Sequence, residues 1–204
     1  SRVSRGLGDV YKRQALYGVE RWSRKWKMRL SAQKSECSFF TTCTQEASWR
    51  PSLSLGDTSL RYKANPRFLG LTYDRQLTFS KHTELVCAKT RRQVGALRKL
   101  ASTDWGYDKA TLRSTYIATC RSVIEYAAPA WSPWISATSL EKLEECQRYA
   151  GRAITGHLRT TPTEAILVEA NLPSIASRLS QSCLTAMEKS LRLPQDNPRR
   201  QLAE

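Results

Sequence analysis

The apolar residues of this chain change their spacing near Ser80, and that change decides most of what the chain can fold into. Beyond Ser80 they recur every three or four residues, the period of a helix with one buried face. A helix is predicted over residues 81–101, with Leu85, Ala88, Val94, Leu97 and Ala101 on one side and Lys89, Arg91, Arg92, Arg98 and Lys99 elsewhere. Thr103-Asp104-Trp105-Gly106 breaks it. Asp108 is placed to cap a second helix lined by Leu112, Tyr116, Cys120, Val123, Ile124 and Ala127. Pro129 and Pro133 bracket a turn holding Trp131 and Trp134. Ser139 opens a helix that runs through Ile154 and stops at Gly156. Thr163 caps a short one that ends near Asn171-Leu172-Pro173, and Ile175, Leu179, Cys183, Met187 and Leu191 form the stripe of the last. Residues 194–204 are polar and read as a frayed tail.

Before Ser80 the pattern is different. Residues 15–30 read as a helix through Leu16, Val19, Trp22, Trp26 and Leu30, with the two tryptophans facing a core. Residues 36–43 have strand composition, and residues 52–55 and 59–62 alternate around Gly56-Asp57, which suits a tight hairpin. Residues 67–73 make a third strand candidate, in which Gly70 signals a bulge or a close backbone approach. The expectation is an α+β first part, one helix and a small antiparallel β element, followed by an all-α second part.

Charge narrows the partners. Lys and Arg number 33 against 18 Asp and Glu, a net charge of +15, which favours polyanions: nucleic acid or an acidic membrane surface. No apolar run approaches the roughly 18 residues of a membrane span. The cysteines at 37, 43, 87, 120, 146 and 183 show no CxxC spacing, and His82 and His157 stand apart, so reduced thiols are expected and no metal site.

Catalytic signatures are missing. Two-metal polymerase chemistry needs paired aspartates, and the chain has no adjacent Asp pair. Asp57, Asp74, Asp104 and Asp108 sit at turns or caps, where Asp is expected for local reasons. What remains is basic charge interleaved with aromatics, a combination that neutralises phosphates and stacks bases. Trp105, Trp131 and Trp134 are candidate stacking platforms, although large rings beside prolines more often plug a core.

Several segments, in order, resemble the reverse transcriptases of non-LTR (LINE-type) retrotransposons. WSRKWKMRLSAQKSE at residues 22–36 is similar to the late palm, where a helix precedes a strand. Phe68-Leu69-Gly70-Leu71-Thr72-Tyr73-Asp74, then Leu77-Thr78-Phe79 and His82, is similar to the following hairpin and helix start. Thr103-Asp104-Trp105-Gly106, Ile124-Glu125-Tyr126-Ala127, Trp131, residues 140–147, Arg152-Ala153-Ile154-Thr155-Gly156 and Thr161-Pro162 continue the series. Trypanosome-type elements look most alike. The resemblance covers residues 15 to about 193.

The resemblance implies a fold and a division of labour: residues 15–79 as the edge of a polymerase palm with a primer-grip-like hairpin, and residues 80–193 as a helical thumb and the region after it. Lys34 matches a lysine that acts near the pyrophosphate leaving group, where an ammonium stabilises developing charge and donates a proton; Ser31 and Ser35 stand where the family usually has Asn and often has Thr. Phe68, Leu69 and Gly70 match the primer grip, and Lys89, Arg91, Arg92, Arg98 and Lys99 would track the RNA–DNA or DNA template–primer duplex. The family's metal-binding aspartates, including a Tyr-x-Asp-Asp loop, lie upstream of Ala15. The implied partners are nucleic acid and the upstream palm and fingers, with no membrane. Mg2+ is implied for the intact parent and no cofactor for this fragment, which should be inactive alone; a nuclear location is implied too.

Upstream of Ala15 the chain reads SRVSRGLGDVYKRQ, without helical periodicity. Asp9-Val10-Tyr11-Lys12-Arg13-Gln14 resembles the translation of a transposase mosaic-end adapter used in sequencing libraries, and residues 3–14 as a block resemble a run found before unrelated proteins, so residues 1–14 read as an artefact. A natural basic arm is the other reading. Setting the segment aside lowers the net charge by about three and leaves the chain strongly basic. Two rival expectations stand beside the polymerase fragment: a non-catalytic basic helical module that binds nucleic acid, and a decayed element without function.

Overall fold

The computed structural model describes residues 2–46, 48–101 and 106–203, with side chains from residue 14 onward. The break expected at Thr103-Asp104-Trp105, and with it the candidate platform Trp105, lies outside the described residues. The chain divides into two compact units, Ser1–Thr78 and Phe79–Glu204.

The first unit opens with α1, Arg2–Lys25. This helix starts well before residue 15 and stops short of Leu30, both unlike the sequence expectation. It stops because Lys27 turns to φ 53°. The Met28 N–H then reaches the Ser23 carbonyl at 2.9 Å and the Lys27 N–H the Arg24 carbonyl at 3.2 Å, the paired bonds of a Schellman closure. Trp22 and Trp26, expected to face a core, are instead 51% and 61% exposed. Helical spacing locates an apolar face; it does not supply an element to cover it.

The strands of this unit are all two residues long. They are β1 (Glu36–Cys37), β2 (Ser54–Leu55), β3 (Thr58–Ser59), β4 (Arg61–Tyr62), β5 (Arg67–Phe68) and β6 (Leu71–Thr72). β2 and β3 pair antiparallel around Gly56-Asp57, as the turn residues predict, with Gly56 at φ 57°. β1 pairs parallel with β4, where an antiparallel element was expected. Residues 67–73 do not form one bulged strand: β5 and β6 fold back on each other across Leu69 and Gly70. Both turn residues have positive φ, 46° and 84°, the requirement of a type I′ turn. Arg75 ties the loops, its Nη2 donating to the Trp49 carbonyl at 3.0 Å and its guanidinium lying 5.6 Å from the Tyr62 ring. The apolar residues buried here, among those described, are Cys37, Leu71 and Pro51. Burying one such side chain contributes about 1.5–3 kcal/mol, while ordering each residue costs about 1–2 kcal/mol, so this interior is small for the chain it holds.

The second unit is helical: α2 (Ser80–Leu100), α3 (Lys109–Tyr116), α4 (Ser122–Glu125), α5 (Ala128–Trp131), α6 (Ala137–Thr155), α7 (Thr163–Glu169), α8 (Ile175–Leu191) and α9 (Pro198–Gln201). α2 packs along α6, and α7 and α8 lie against α6 as well. The buried face of α2 is His82, Thr83, Val86, Cys87, Thr90, Val94 and Leu97; Leu85 and Ala88, expected inside, are exposed. Two threonines and a histidine hold inner positions, and a count of apolar residues passes over them. Leu112, Tyr116, Cys120, Ile124 and Ala128 are all buried, at strict four-residue spacing. That spacing drifts by about 40° per step on a regular α-helix. The π-turn Ile117–Arg121, between α3 and α4, takes up the drift.

Caps set the helix ends. The Asp108 carboxylate accepts from Ala110 and Thr111 at 3.0 and 3.3 Å. The Thr111 side chain, with these backbone N–H groups, holds its pKa below the usual range. α6 is capped by Ser136, not opened at Ser139, and stops at Gly156 with φ 75°. Pro162, not Thr163, stands at the start of α7; Asn171, at φ 51°, closes its end. The interior is well filled. Trp131, Tyr116, Ile124, Leu143, Ile166 and Ile175 are fully buried. Gln147, buried too, accepts from the Tyr116 hydroxyl at 3.2 Å and donates to the Pro173 carbonyl at 2.8 Å.

Helices α6 and α7 meet at Gly151, where an added Cβ would lie 2.7 Å from the Ile166 Cγ2. Gly151→Ala should therefore destabilise the second unit by about 1–3 kcal/mol despite alanine's better helix propensity. A chemical melt showing the alanine variant equal to or more stable than the parent would exclude this approach as a packing constraint.

Candidate nucleic-acid interface

In the first unit, Lys34 ends the short 3-10 turn Ala32–Lys34 just before β1. Its side chain is exposed and makes no hydrogen bond or ion pair among the described residues, so nothing there ties it to the hairpin. The β5–β6 hairpin is two-faced. Leu71 and Thr72 are buried, while Phe68 is 63% and Leu69 74% exposed at the tip. Leucine in the left-handed region costs about 1–2 kcal/mol. The tip thus presents two apolar side chains from a strained turn.

In the second unit, α2 carries Lys81, Lys89, Arg91, Arg92, Arg98 and Lys99 against one acid, Glu84. The structure separates the five residues singled out by sequence. Arg91 and Arg98 lie one heptad apart on the flank facing α6. Arg91 binds the Glu145 carboxylate at 2.8 Å. Its neighbour Cys146 has its thiol held below the usual range, first by the Cys87 thiol and then by Arg91. Arg98 donates to the Tyr149 hydroxyl and stacks over that ring at 5.0 Å. Lys89, Arg92 and Lys99 point away from the buried face and have no ion pair or hydrogen bond among the described residues. Other cations are neutralised: Lys81 by Glu84 at 3.2 Å, Arg148 by Glu141 at 2.7 Å, and Arg178 by both oxygens of Glu125 at 2.8 and 3.1 Å. Lys109, at 2.9 Å, and His157 share Glu169 and together hold its carboxyl below the ordinary glutamate range.

Of the candidate platforms, Trp131 is a core plug: its Nε1 donates to the Tyr126 carbonyl at 2.9 Å and its ring meets His82 edge-on at 5.2 Å. Trp134 is exposed. Tyr149, Arg152 and Arg159 are not among the binding residues expected from sequence, although Arg152 and Arg159 lie in segments that carry the resemblance. The signal was present on α6, where Tyr149 and Arg152 stand at i and i+3. Among the described residues, no group of three or more His, Cys, Asp or Glu comes together to hold a metal ion. No described helix is long and apolar enough to cross a membrane.

No protein-family model matches the chain, and no solved structure matches it. Curated proteins do. The chain is 24% identical over 84% of its length to the 115 kDa protein in type-1 retrotransposable element R1DM of Drosophila melanogaster, covering 17% of that protein. It is 29% identical over 69% of its length to a Pol polyprotein from type-1 retrotransposable element R1 4 of Nasonia vitripennis, covering 36%. It is 25% identical over 85% of its length to the RNA-directed DNA polymerase from mobile element jockey of Drosophila melanogaster, covering 19%. The chain thus spans about a sixth to about a third of these relatives. Its similarity is to the polymerase proteins of non-LTR retrotransposons.

Proposed function

We propose that residues 15–193 are the palm edge and helical thumb of a non-LTR retrotransposon reverse transcriptase, gripping a template–primer duplex while the metal-binding aspartates lie upstream. One observation carries the gripping role: the outward stripe of Lys89, Arg92 and Lys99 on α2, unpaired among the described residues. The chain's similarity to retrotransposon polymerases supports nucleic acid as the partner of that stripe. The small interior of the first unit and its exposed Trp22 and Trp26 suit a segment that packs within a larger palm.

Magnesium would belong to the upstream part; among the described residues no group of carboxylates gathers to hold it, and two of the aspartates are already committed. Asp74 spends one oxygen on the Gln76 and Thr78 N–H groups and the other on the Thr78 hydroxyl. Asp108 is committed to its cap. With the metal-binding aspartates upstream, this chain alone should not polymerise. Lys34, exposed and unpaired among the described residues, is free to meet a leaving pyrophosphate in the intact enzyme. The tip Phe68-Leu69-Gly70 would lie along the primer backbone, a use for the strain stored at Leu69. Residues 3–14 we assign to adapter sequence.

The test is equilibrium binding of an RNA–DNA hybrid by the whole chain at rising salt. Affinity should fall steeply and with little sequence preference; affinity that stays flat would exclude the interface. In an intact parent polymerase, Lys34→Ala should cut turnover by about 100-fold with duplex binding unchanged. Unchanged turnover would leave a second reading, which the well-filled interior of residues 79–204 favours: a helical binding module in which Lys34 has no chemical role.

A further inference from the structure

Beside Arg98, where α2 faces the last turn of α6, the second unit has a cavity of about 670 Å³. Arg98, Tyr149, Arg152, His157 and Arg159 line it, with Glu145 as the only carboxylate among the described residues. Among the described residues, the carboxylates beside these cations are already engaged. Glu145 is paired with Arg91 at 2.8 Å, and His157 is turned to Glu169. Arg152 donates through Nη2 to the Arg159 carbonyl at 3.3 Å, yet its Nε is buried without an acceptor among the described residues. The Arg159 side chain is exposed and makes no hydrogen bond or ion pair among the described residues. Guanidiniums gathered in one concavity beside a single described carboxylate, itself paired to Arg91, repel one another, and a buried N–H without an acceptor carries a desolvation cost. An anion with several acceptor oxygens relieves both.

We propose that this cavity is a phosphate site, in which Arg152 and Arg159 bind the oxygens of a nucleic-acid phosphate and Arg98, held by Tyr149, completes the cradle. The forked donors of arginine match a phosphate group geometrically. The site shares Arg98 with α2, so a backbone lying on Lys89, Arg92 and Lys99 has a further anchor on the same unit. The proposal rests on the nucleic-acid reading of that stripe. The phosphate has two possible sources, an internal diester or a terminal monoester.

The whole chain is titrated with two versions of one duplex, with and without a terminal 5′-phosphate, across a salt series. Arg159→Gln, at an exposed position, should weaken binding about three- to tenfold and lower the slope of log K against log salt by about 0.9, with the thermal melt unchanged. Arg152→Gln should weaken binding and lower the slope likewise, with the lost bond to the Arg159 carbonyl showing in the melt as well. If the parent prefers the 5′-phosphorylated duplex and Arg159→Gln abolishes that preference, the site takes a terminal monoester; if both duplexes lose affinity equally, it takes a backbone diester. Wild-type affinity and slope in both variants would overturn the proposal. Should Lys89, Arg92 and Lys99 variants still weaken binding in that case, the cavity alone is excluded. Should they bind like the parent as well, the nucleic-acid reading falls with it.

Discussion

Replacing Lys89, Arg92 and Lys99 together by glutamine should lower the duplex salt slope by about 2.7 and, at 0.1 M salt, weaken binding by two to three orders of magnitude. The magnitude comes from counterion release: each neutralised phosphate contributes roughly 0.9 to the slope, and the curves of variant and parent converge towards 1 M salt. These three side chains lie outside the buried face of α2 and hold no partner among the described residues, so their loss should leave the fold intact. Arg91→Gln and Arg98→Gln should behave differently. Their partners Glu145 and Tyr149 lie on α6, and removing them should show in the thermal melt as well as in binding. Equal, purely electrostatic losses at all five positions would mean that the division of α2 into a free stripe and an engaged one is wrong.

The largest loss of stability is expected at Trp131. It is the largest fully buried side chain among the described residues, closes on His82, and spends its indole N–H on the Tyr126 carbonyl. Trp131→Ala should cost about 3–5 kcal/mol. That is a large part of the roughly 5–15 kcal/mol that holds a domain of this size together. Circular dichroism under denaturant should show the midpoint of the helical unit falling sharply, and Trp131→Phe recovering much of it. A stacking platform would give the opposite pattern: weaker duplex binding with the midpoint unmoved.

How far these features could be read from sequence differs by element. Helix ends were legible where one residue carries the geometry: Asp108 with its two N–H groups, Gly156 at φ 75°, Asn171 at φ 51°. The Gly56-Asp57 hairpin was legible for the same reason. The inner face of α2 was not, because Thr83, Thr90 and His82 hold it and their burial depends on neighbouring helices. The hairpin at residues 67–72 was hidden by Leu69, a side chain that rarely takes positive φ. Trp22 and Trp26 were misread as core because amphipathic spacing says nothing about whether a covering element is present. Among the candidate site residues, the run of cations on α2 is plain in the sequence. Its division is not, since Glu145 and Tyr149 stand 47 and 51 positions further along the chain than Arg98. The phosphate cavity was out of reach altogether, for Arg98 and Arg159 meet only through the packing of α2 on α6.

The central claim is that this chain is one segment of a larger polymerase, and a long read of the genomic locus across Ala15 tests it most directly. The proposal predicts an open frame that continues upstream into a palm with a Tyr-x-Asp-Asp loop, joined to Ala15 without the residues SRVSRGLGDVYKRQ. A native frame that begins with those residues, or one already broken upstream of Ala15, would contradict it.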